Sequence, residues 1–435
     1  MDLIQSFWSG RKEVLEYGYG WYNSYYHMLG WILSSNQLHK HHENLKLYTD
    51  KNGYEVLIHK LGLPYNSVTN NLNELDKYPH HLWVLSKIKV YALQDSPFLH
   101  VDSDVFIWEK FSEKLLVQNL IVQNIERLTE YSHSIWHNLE KKLLFIPPDL
   151  NTDLQLSCNM GIVGGMDYKF INSFSARSFD FITKNRKVWS DLEYTSFCLY
   201  FEQVLFYQYC HRKEKKISTF FPNVINDNEY TGFGDFEKIP DELTYLHLLG
   251  DYKRDLRTCE MMENYVLLEY PMYLERLIKT IDKNFLNYDR VFPESYNFTI
   301  ADNEEIYFRT KKKNISGGKL NFNLLERKLI MANSLKSFNS KVKNNNCLKT
   351  ICNYRFKNQG NSTFLEYQYL DGKYYNFRID EIDSIILDFL KFEIHYEELV
   401  NEILKLTRSS LRSELLKILK MKISYFLSIG ICAFY

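Results

Sequence analysis

Hydrophobic and polar positions follow two rhythms along this chain, and the first 270 or so residues switch between them repeatedly. Leu3-Ile4-Gln5-Ser6-Phe7-Trp8 is a short apolar run closed by Ser9-Gly10, which predicts a buried first strand. Tyr22 to Leu33 carries apolar residues at helical spacing. Leu45 to Asp50 alternates and stops at Lys51-Asn52-Gly53, and Tyr54 to Leu61 returns to the helical period. Leu82 to Leu93 predicts a helix that leads into the strand Phe98-Leu99-His100-Val101. Further strands are expected at Leu115 to Ile121 and Asn159 to Val163, and helices over Val188 to Tyr209 and Asp255 to Asp282. Strands alternating with helices predict an α/β domain whose mainly parallel sheet is covered by helices on both faces.

From Arg309-Thr310-Lys311-Lys312-Lys313 to Gly317-Gly318 the pattern gives way to a basic stretch, read as a linker or exposed loop. The organisation expected is a domain over 1–285, a connecting region over 286–355 and a mostly helical C-terminal accessory domain over 356–435. In the last of these, Tyr374 to Asp380 is strand-like. Ile382 to Leu390, Tyr396 to Leu406 and Leu411 to Leu419 are amphipathic helical stretches, and Ile423 to Tyr435 is a last apolar element. This order resembles small winged-helix or PqqD-like peptide-recognition domains, and a plain helical extension accounts for it at least as well.

Composition narrows the possible functions. With 53 basic and 54 acidic side chains the formal charge is −1, so no global field favours nucleic acid or an anionic membrane. Seven scattered cysteines without a Cys-X-X-Cys pair read as reduced thiols in the cytoplasm rather than a disulfide framework or zinc site. Met1 to Lys12 lacks the apolar core of a signal peptide, and the absence of a long apolar run predicts no transmembrane segment. No Gly-X-X-X-X-Gly-Lys-Ser/Thr or Gly-X-Ser-X-Gly run is present, which leaves P-loop and hydrolase readings without support. His39-Lys40-His41-His42 has no partner spacing and is read as a solvated turn.

The candidate chemistry starts at Asp102-Ser103-Asp104, which closes the apolar run at Val101. Residues i and i+2 on an extended chain point the same way, so both carboxylates would face one ligand. Two buried like charges become tolerable with a divalent cation between them, and hard oxygen ligands suit Mg2+ or Mn2+. Isolated, such a pair more often caps a turn. Here Asn159-Met160-Gly161, Glu202-Gln203 and His247-Leu248-Leu249-Gly250-Asp251-Tyr252-Lys253 follow in order.

Together these pieces, over roughly residues 1 to 270, resemble the GT-A-fold glycosyltransferases, specifically the glycogenin and lipopolysaccharide galactosyltransferase family, with its Asp-X-Asp, Asn-X-Gly, Asp-Gln and His-X-X-Gly-X-X-Lys signatures. The resemblance implies a Rossmann-like GT-A fold. It implies Asp102, Asp104 and His247 as ligands of Mn2+ or Mg2+, with Asp102 shared with the donor's ribose, and Gly250 and Lys253 at the diphosphate. It further implies Asn159 and Gly161 at the donor sugar, and Glu202 and Gln203 at the reacting centre. Ser103, between the acids, and Lys87, Tyr48 and Asp50 are further donor-site candidates. Two departures stand out: Glu202 replaces the aspartate of Asp-Gln, and Asp255 stands where the family often has an aromatic.

The function implied is transfer of a sugar from a nucleotide-sugar donor, foremost a UDP-sugar, to a hydroxyl of a peptide, glycan or small molecule, with configuration retained. An inverting route with Glu202 or a neighbour as base is left open. Two competitors remain: a non-catalytic, glycosyltransferase-like peptide-binding protein, and a nucleotidyltransferase.

Overall fold

A computed structural model describes residues 1–148, 150, 155–227, 229–240, 242–281, 295–300, 306–311, 342, 346–360, 362–368, 374–407 and 412–434. The chain divides into two compact units, Met1–Glu263 with Tyr288–Gly318, and Asn264–Asn287 with Lys319–Tyr435. The expected boundary at 285/286 and residues 312–318 of the expected linker lie outside the described residues.

The N-terminal unit begins β1 (Asp2–Phe7), α1 (Ser24–His41), β2 (Leu45–Thr49), α2 (Lys51–Gly53), which continues as a wider turn over Tyr54–Lys60, β3 (Ser67–Asn70), α3 (Leu85–Ala92), β4 (Phe98–Val101) and β5 (Val105–Ile107). It continues with α4 (Glu113–Leu116), β6 (Ile121–Arg127), α5 (Glu130–Glu140), β7 (Leu156–Gly165), α6 (Tyr168–Lys184), α7 (Tyr194–Leu199), α8 (Leu205–Arg212), β8 (Ser218–Thr219), β9 (Ile225–Asn226), β10 (Tyr245–His247) and α9 (Leu256–Glu269). From Asn264 the last part of α9 and helix α10 (Pro271–Thr280) belong to the second unit, and the hairpin β11 (Ser295–Ile300) and β12 (Ile306–Lys311) belongs to the first, so Arg309 to Lys311 is strand rather than loop.

The central sheet runs β3-β2-β1-β4-β7-β6-β8, with β9 also against β6. Strands β3, β2, β1 and β4 are mutually parallel, β7 is antiparallel to β4 and β6, and β8 and β9 are parallel to β6. The sheet is therefore mostly parallel but mixed. Consecutive residues feed opposite cores, as the period of two requires. Ile4, Phe98, Val122 and Val163 join one cluster with α3, α6 and α8 residues, whereas Leu3, Leu99, Ile121 and Ile162 join another with Leu38 of α1. Burial on both faces explains the near-continuous apolar runs of these strands.

Local chemistry sets most boundaries. Asn23 accepts a hydrogen bond from the Tyr26 N–H and starts α1, which runs on to His41 and past the expected Leu33. The histidine–lysine run is thus no solvated turn. His39, Lys40 and His41 end the helix, where its dipole favours positive charge, and His42 is buried, accepting from the Phe111 N–H. The strand expected at Leu115 begins only at Ile121, because Ser112 caps the short α4 by accepting from the Leu115 N–H. The stretch Val188 to Tyr209 breaks into a tight turn (Arg186–Asp191), α7, a π-turn (Tyr200–Val204) and α8. Wide turns of this kind often mark functional positions, and this one carries Glu202 and Gln203.

In the C-terminal unit β13 (Cys347–Thr350) is followed by β14 (Tyr354–Gln359), β15 (Ser362–Gln368), β16 (Tyr374–Ile379), α11 (Glu381–Phe389), β17 (Ile394–His395), α12 (Tyr396–Thr407), α13 (Arg412–Ser428) and β18 (Cys432–Phe434). β14, β15 and β16 form one antiparallel sheet, and β13 pairs with β17 and β18 in another. Cys347–Thr350, expected in the connecting region, is thus the central strand of the C-terminal unit, which reaches upstream of 356. The unit is less helical than its apolar periodicity implied, since short strands leave little periodic signal. Its three expected helices are present, the last extending to Ser428. Among the described residues no helix is long and apolar enough to cross a membrane.

Candidate functional site

Strand β4 ends at Val101, and the next four residues make a tight turn rather than more strand: the Val105 N–H donates to the Asp102 carbonyl, while the Asp102 N–H donates to the Gly161 carbonyl. The i, i+2 alignment of the two carboxylates therefore comes from a turn, not from an extended chain. Strand β5 then pairs antiparallel with β10, placing His247 opposite Val105. That register brings an imidazole 143 positions away to the acids (247 less 104), and ligand atoms of Asp102, Asp104 and His247 all lie within 4.8 Å of one another.

Two lysines and an imidazole face the acids directly. Asp104 turns Oδ1 towards His247 Nε2, at 3.4 Å, and Oδ2 towards Lys253 Nζ, at 2.5 Å. Lys87 Nζ lies 3.0 Å from either oxygen of Asp102, 2.5 Å from Glu202 Oε1, and donates to the Met160 carbonyl at 3.1 Å. Burial pushes the Asp102 carboxyl up, and with Asp104 and Glu202 nearby it reaches about 6 in spite of Lys87. Burial acts on Asp104 in the same sense, but Lys253 and His247 outweigh it and hold that carboxyl well below the usual range. Burial works to lower the Lys87 ammonium, and Asp102 and Glu202 more than reverse it.

His247 is fixed from behind. Its Nδ1 is 2.7 Å from Gln123 Oε1, an atom that can only accept and that also takes the Tyr245 hydroxyl at 2.6 Å. In the neutral imidazole the hydrogen is therefore on Nδ1, and Nε2 turns a lone pair towards the Asp104 carboxylate. A lone pair facing a carboxylate at this range is unfavourable unless a proton or a cation comes between them. Gly161 makes the arrangement possible, because a Cβ there would lie 2.4 Å from His247 Cε1 and 2.6 Å from Gln123 Oε1. Two carboxylates and a neutral imidazole form a donor set that suits Mn2+ and, with more oxygen from a substrate, Mg2+.

The acids open into a cleft of about 1340 Å³. Lys87, Asp102, Ser103, Asp104, Asn159, Gly161, Glu202, Gln203, His247, Gly250 and Lys253 all line it, so the structure gathers eleven of the expected site residues. Gly250 adopts φ +45, a left-handed conformation that favours glycine, beside the cluster. Tyr48 and Asp50 are not part of it. The Tyr48 ring packs against the main core with its hydroxyl towards Gln94, at 3.4 Å. Asp50 is consumed in capping α2: its Oδ2 accepts from the Ser9 N–H and hydroxyl, and its Oδ1 from the Gly53 N–H. Both donor-site expectations are corrected, since a strand-end acid is as well suited to a cap as to a ligand.

Two roles shift. Asn159 donates to Glu126 Oε1 and to the Tyr230 hydroxyl, each at 3.0 Å, and accepts from the Gly161 N–H, so its amide holds a buried network together. Glu202, fully buried, is positioned to hold Lys87. The network around Asn159 contains cleft residues that the sequence reading missed. Glu126 takes bonds from Tyr230, Asn159 and Ser157, and Asn124 donates to Tyr230. A signal for them existed: Gln123-Asn124 interrupts the apolar Leu120-Ile121-Val122 in a central strand, where buried polar groups need partners. In the loop after β1, Arg11 and Tyr19 hold positive φ, and Tyr19 lines the cleft.

No curated protein matches the chain. A family model matches residues 1–280, a span that contains the whole acid–imidazole cluster and its cleft; its description is "Family of unknown function (DUF6734)". The chain therefore belongs to the DUF6734 family.

Proposed function

We propose that the chain is a metal-dependent glycosyltransferase of the GT-A type, moving a sugar from a nucleotide-sugar donor to an acceptor hydroxyl. The observation that carries this reading is the convergence of Asp102, Asp104 and the Nδ1-protonated His247 at the carboxyl end of β4, with Lys253 beside them and a large cleft in front. Ligands of open α/β sheets bind beyond the carboxyl ends of strands, which is where the cluster lies.

Asp102, Asp104 and His247 would hold a divalent cation, Mn2+ or Mg2+, which would neutralise the diphosphate as it departs. Lys253 adds a positive charge at the same place. Lys87, locked between Asp102 and Glu202, keeps the first carboxylate oriented and limits the repulsion between the acids. Gln123 and Tyr245 keep the His247 lone pair aimed at the cluster. Glu126 and Tyr230, fixed by Asn159 behind them, present polar groups to the cleft wall, suited to orienting sugar hydroxyls. Gln203, half-buried on the π-turn, lines the same space. Seven free cysteines fit a reducing compartment, and we place the reaction in the cytoplasm.

The test is release of nucleoside diphosphate from a panel of UDP- and GDP-sugars, with and without Mn2+. The reading expects metal-dependent release by the native chain and its loss in Asp104→Asn. No metal-dependent release from any donor would contradict it, and release of pyrophosphate from a nucleoside triphosphate would favour nucleotidyl transfer instead.

A further inference from the structure

Resting on the glycosyl-transfer reading, we propose that this site takes a divalent cation tightly only together with a diphosphate, because Lys253 holds Asp104 until a diphosphate draws it away. The two lysines at the acids are built differently. Lys87 has two carboxylate partners and a backbone carbonyl, and its side chain is only 6% exposed. It has nowhere to go. Lys253 meets the one carboxylate of Asp104, and its side chain is 22% exposed at the cleft.

The backbone of Lys253 is anchored while its side chain has room. Its carbonyl accepts from the Tyr22 N–H at 2.8 Å and from the Cys259 thiol. Beside the stem lies Gly20, where even an added Cβ would only just reach Lys253 Cε, at 4.0 Å. A lysine ammonium is a compact point charge on a flexible stem, and this one can turn into the cleft without moving the chain.

Charge decides when it does so. With Lys253 on Oδ2, Asp104 offers an incoming cation only Oδ1, the oxygen turned towards His247 Nε2, and a positive charge already stands beside it. An isolated cation must therefore displace an ammonium at 2.5 Å from Asp104, its one carboxylate partner among the described residues. A diphosphate changes both sides of that exchange. Its oxygens attract Lys253 in place of Asp104, and they also complete a hard-oxygen shell for the cation. Cation and diphosphate thus favour each other through one side chain, and linkage makes the coupling reciprocal.

The experiment titrates Mn2+ into the full chain, reading free Mn2+ by electron paramagnetic resonance, with and without UDP, for the native protein, Lys253→Met and Lys253→Arg. The native protein is expected to bind Mn2+ weakly alone and at least about tenfold more tightly with UDP. Lys253→Met should bind Mn2+ alone about tenfold or more tightly than the native chain, with a smaller gain from UDP. Lys253→Arg, which keeps the charge, should preserve weak binding of the cation alone. The latch is overturned if UDP tightens Mn2+ binding to the native protein while Lys253→Met alone binds no better. If neither protein binds Mn2+ even with UDP, the metal-dependent reading falls as well.

Discussion

Asp102 and Asp104 in the N-terminal unit and Asp380 and Asp383 in the C-terminal unit are both acid pairs met by lysine, yet they are held in opposite ways. Asp380 caps α11 by accepting from the Asp383 N–H, Asp383 accepts in return from the Asp380 N–H, and Lys422 bonds to both carboxylates. Every oxygen has a donor, the helix N-terminus favours the charge, and burial is outweighed so that Asp380 lies below its ordinary value. At the cleft the two acids part: burial raises Asp102 above its ordinary value, whereas Lys253 and His247 hold Asp104 below its own. One pair stabilises its fold. In the cleft only one acid, Asp102, is held at a cost to folding, whereas both acids of the cap have every oxygen met by a donor.

That contrast can be broken by substitution. Asp104→Asn should lower metal-dependent donor turnover by at least about a thousandfold, equivalent to about 4 kcal/mol of transition-state stabilisation, whereas Asp380→Asn should leave turnover unchanged. Steady-state release of nucleoside diphosphate reads both. Lys87→Met should cost about 3–5 kcal/mol of stability by leaving buried carboxylates unpaired, seen as a large drop in denaturant midpoint. Gly161→Ala forces His247 and Gln123 apart and should weaken Mn2+ binding in the presence of UDP by about 10- to 100-fold, measured by calorimetry.

Asp102 and Asp380 should also differ in the sign of their pH dependence. Asp102 is raised to about 6 from 3.8, so its ionised form opposes folding. That cost is full above about pH 6 and fades as pH falls towards the unfolded value. Asp102→Asn should therefore stabilise the N-terminal unit by about 1–3 kcal/mol near neutrality, and the gain should shrink by about pH 5. Asp380 is lowered, so its contribution is present above its unfolded value and is lost as pH falls through the folded one. Hydrogen exchange in peptides of each unit separates the two effects. Smallest of all, Lys422→Met should cost about 1 kcal/mol or less, confined to the C-terminal unit, because Asp380 is more than half exposed.

The central strands were legible because burial on both faces leaves runs such as Phe98 to Val101, and the acid pair because it breaks one. His247 was legible only through its spacing to Gly250 and Lys253; nothing in the sequence states that β10 pairs with β5. Tyr48 and Asp50 show the limit from the other side. A strand-end acid can serve a ligand or a helix N-terminus, and only the position of Ser9 and Gly53 decides. The polar break at Gln123-Asn124 marks β6 as needing partners, but the pairing of Glu126 with Tyr230 was not legible, because single polar residues 104 positions apart carry no pattern until β6 and its neighbours fold together.

The most direct measurement is anomalous scattering at the manganese edge from crystals of the chain grown with Mn2+ and UDP. A single peak bound by Asp102, Asp104 and His247 Nε2, with Lys253 moved from Asp104 to the diphosphate, is the predicted result. A map with UDP in the cleft and no peak at these three side chains would contradict the account.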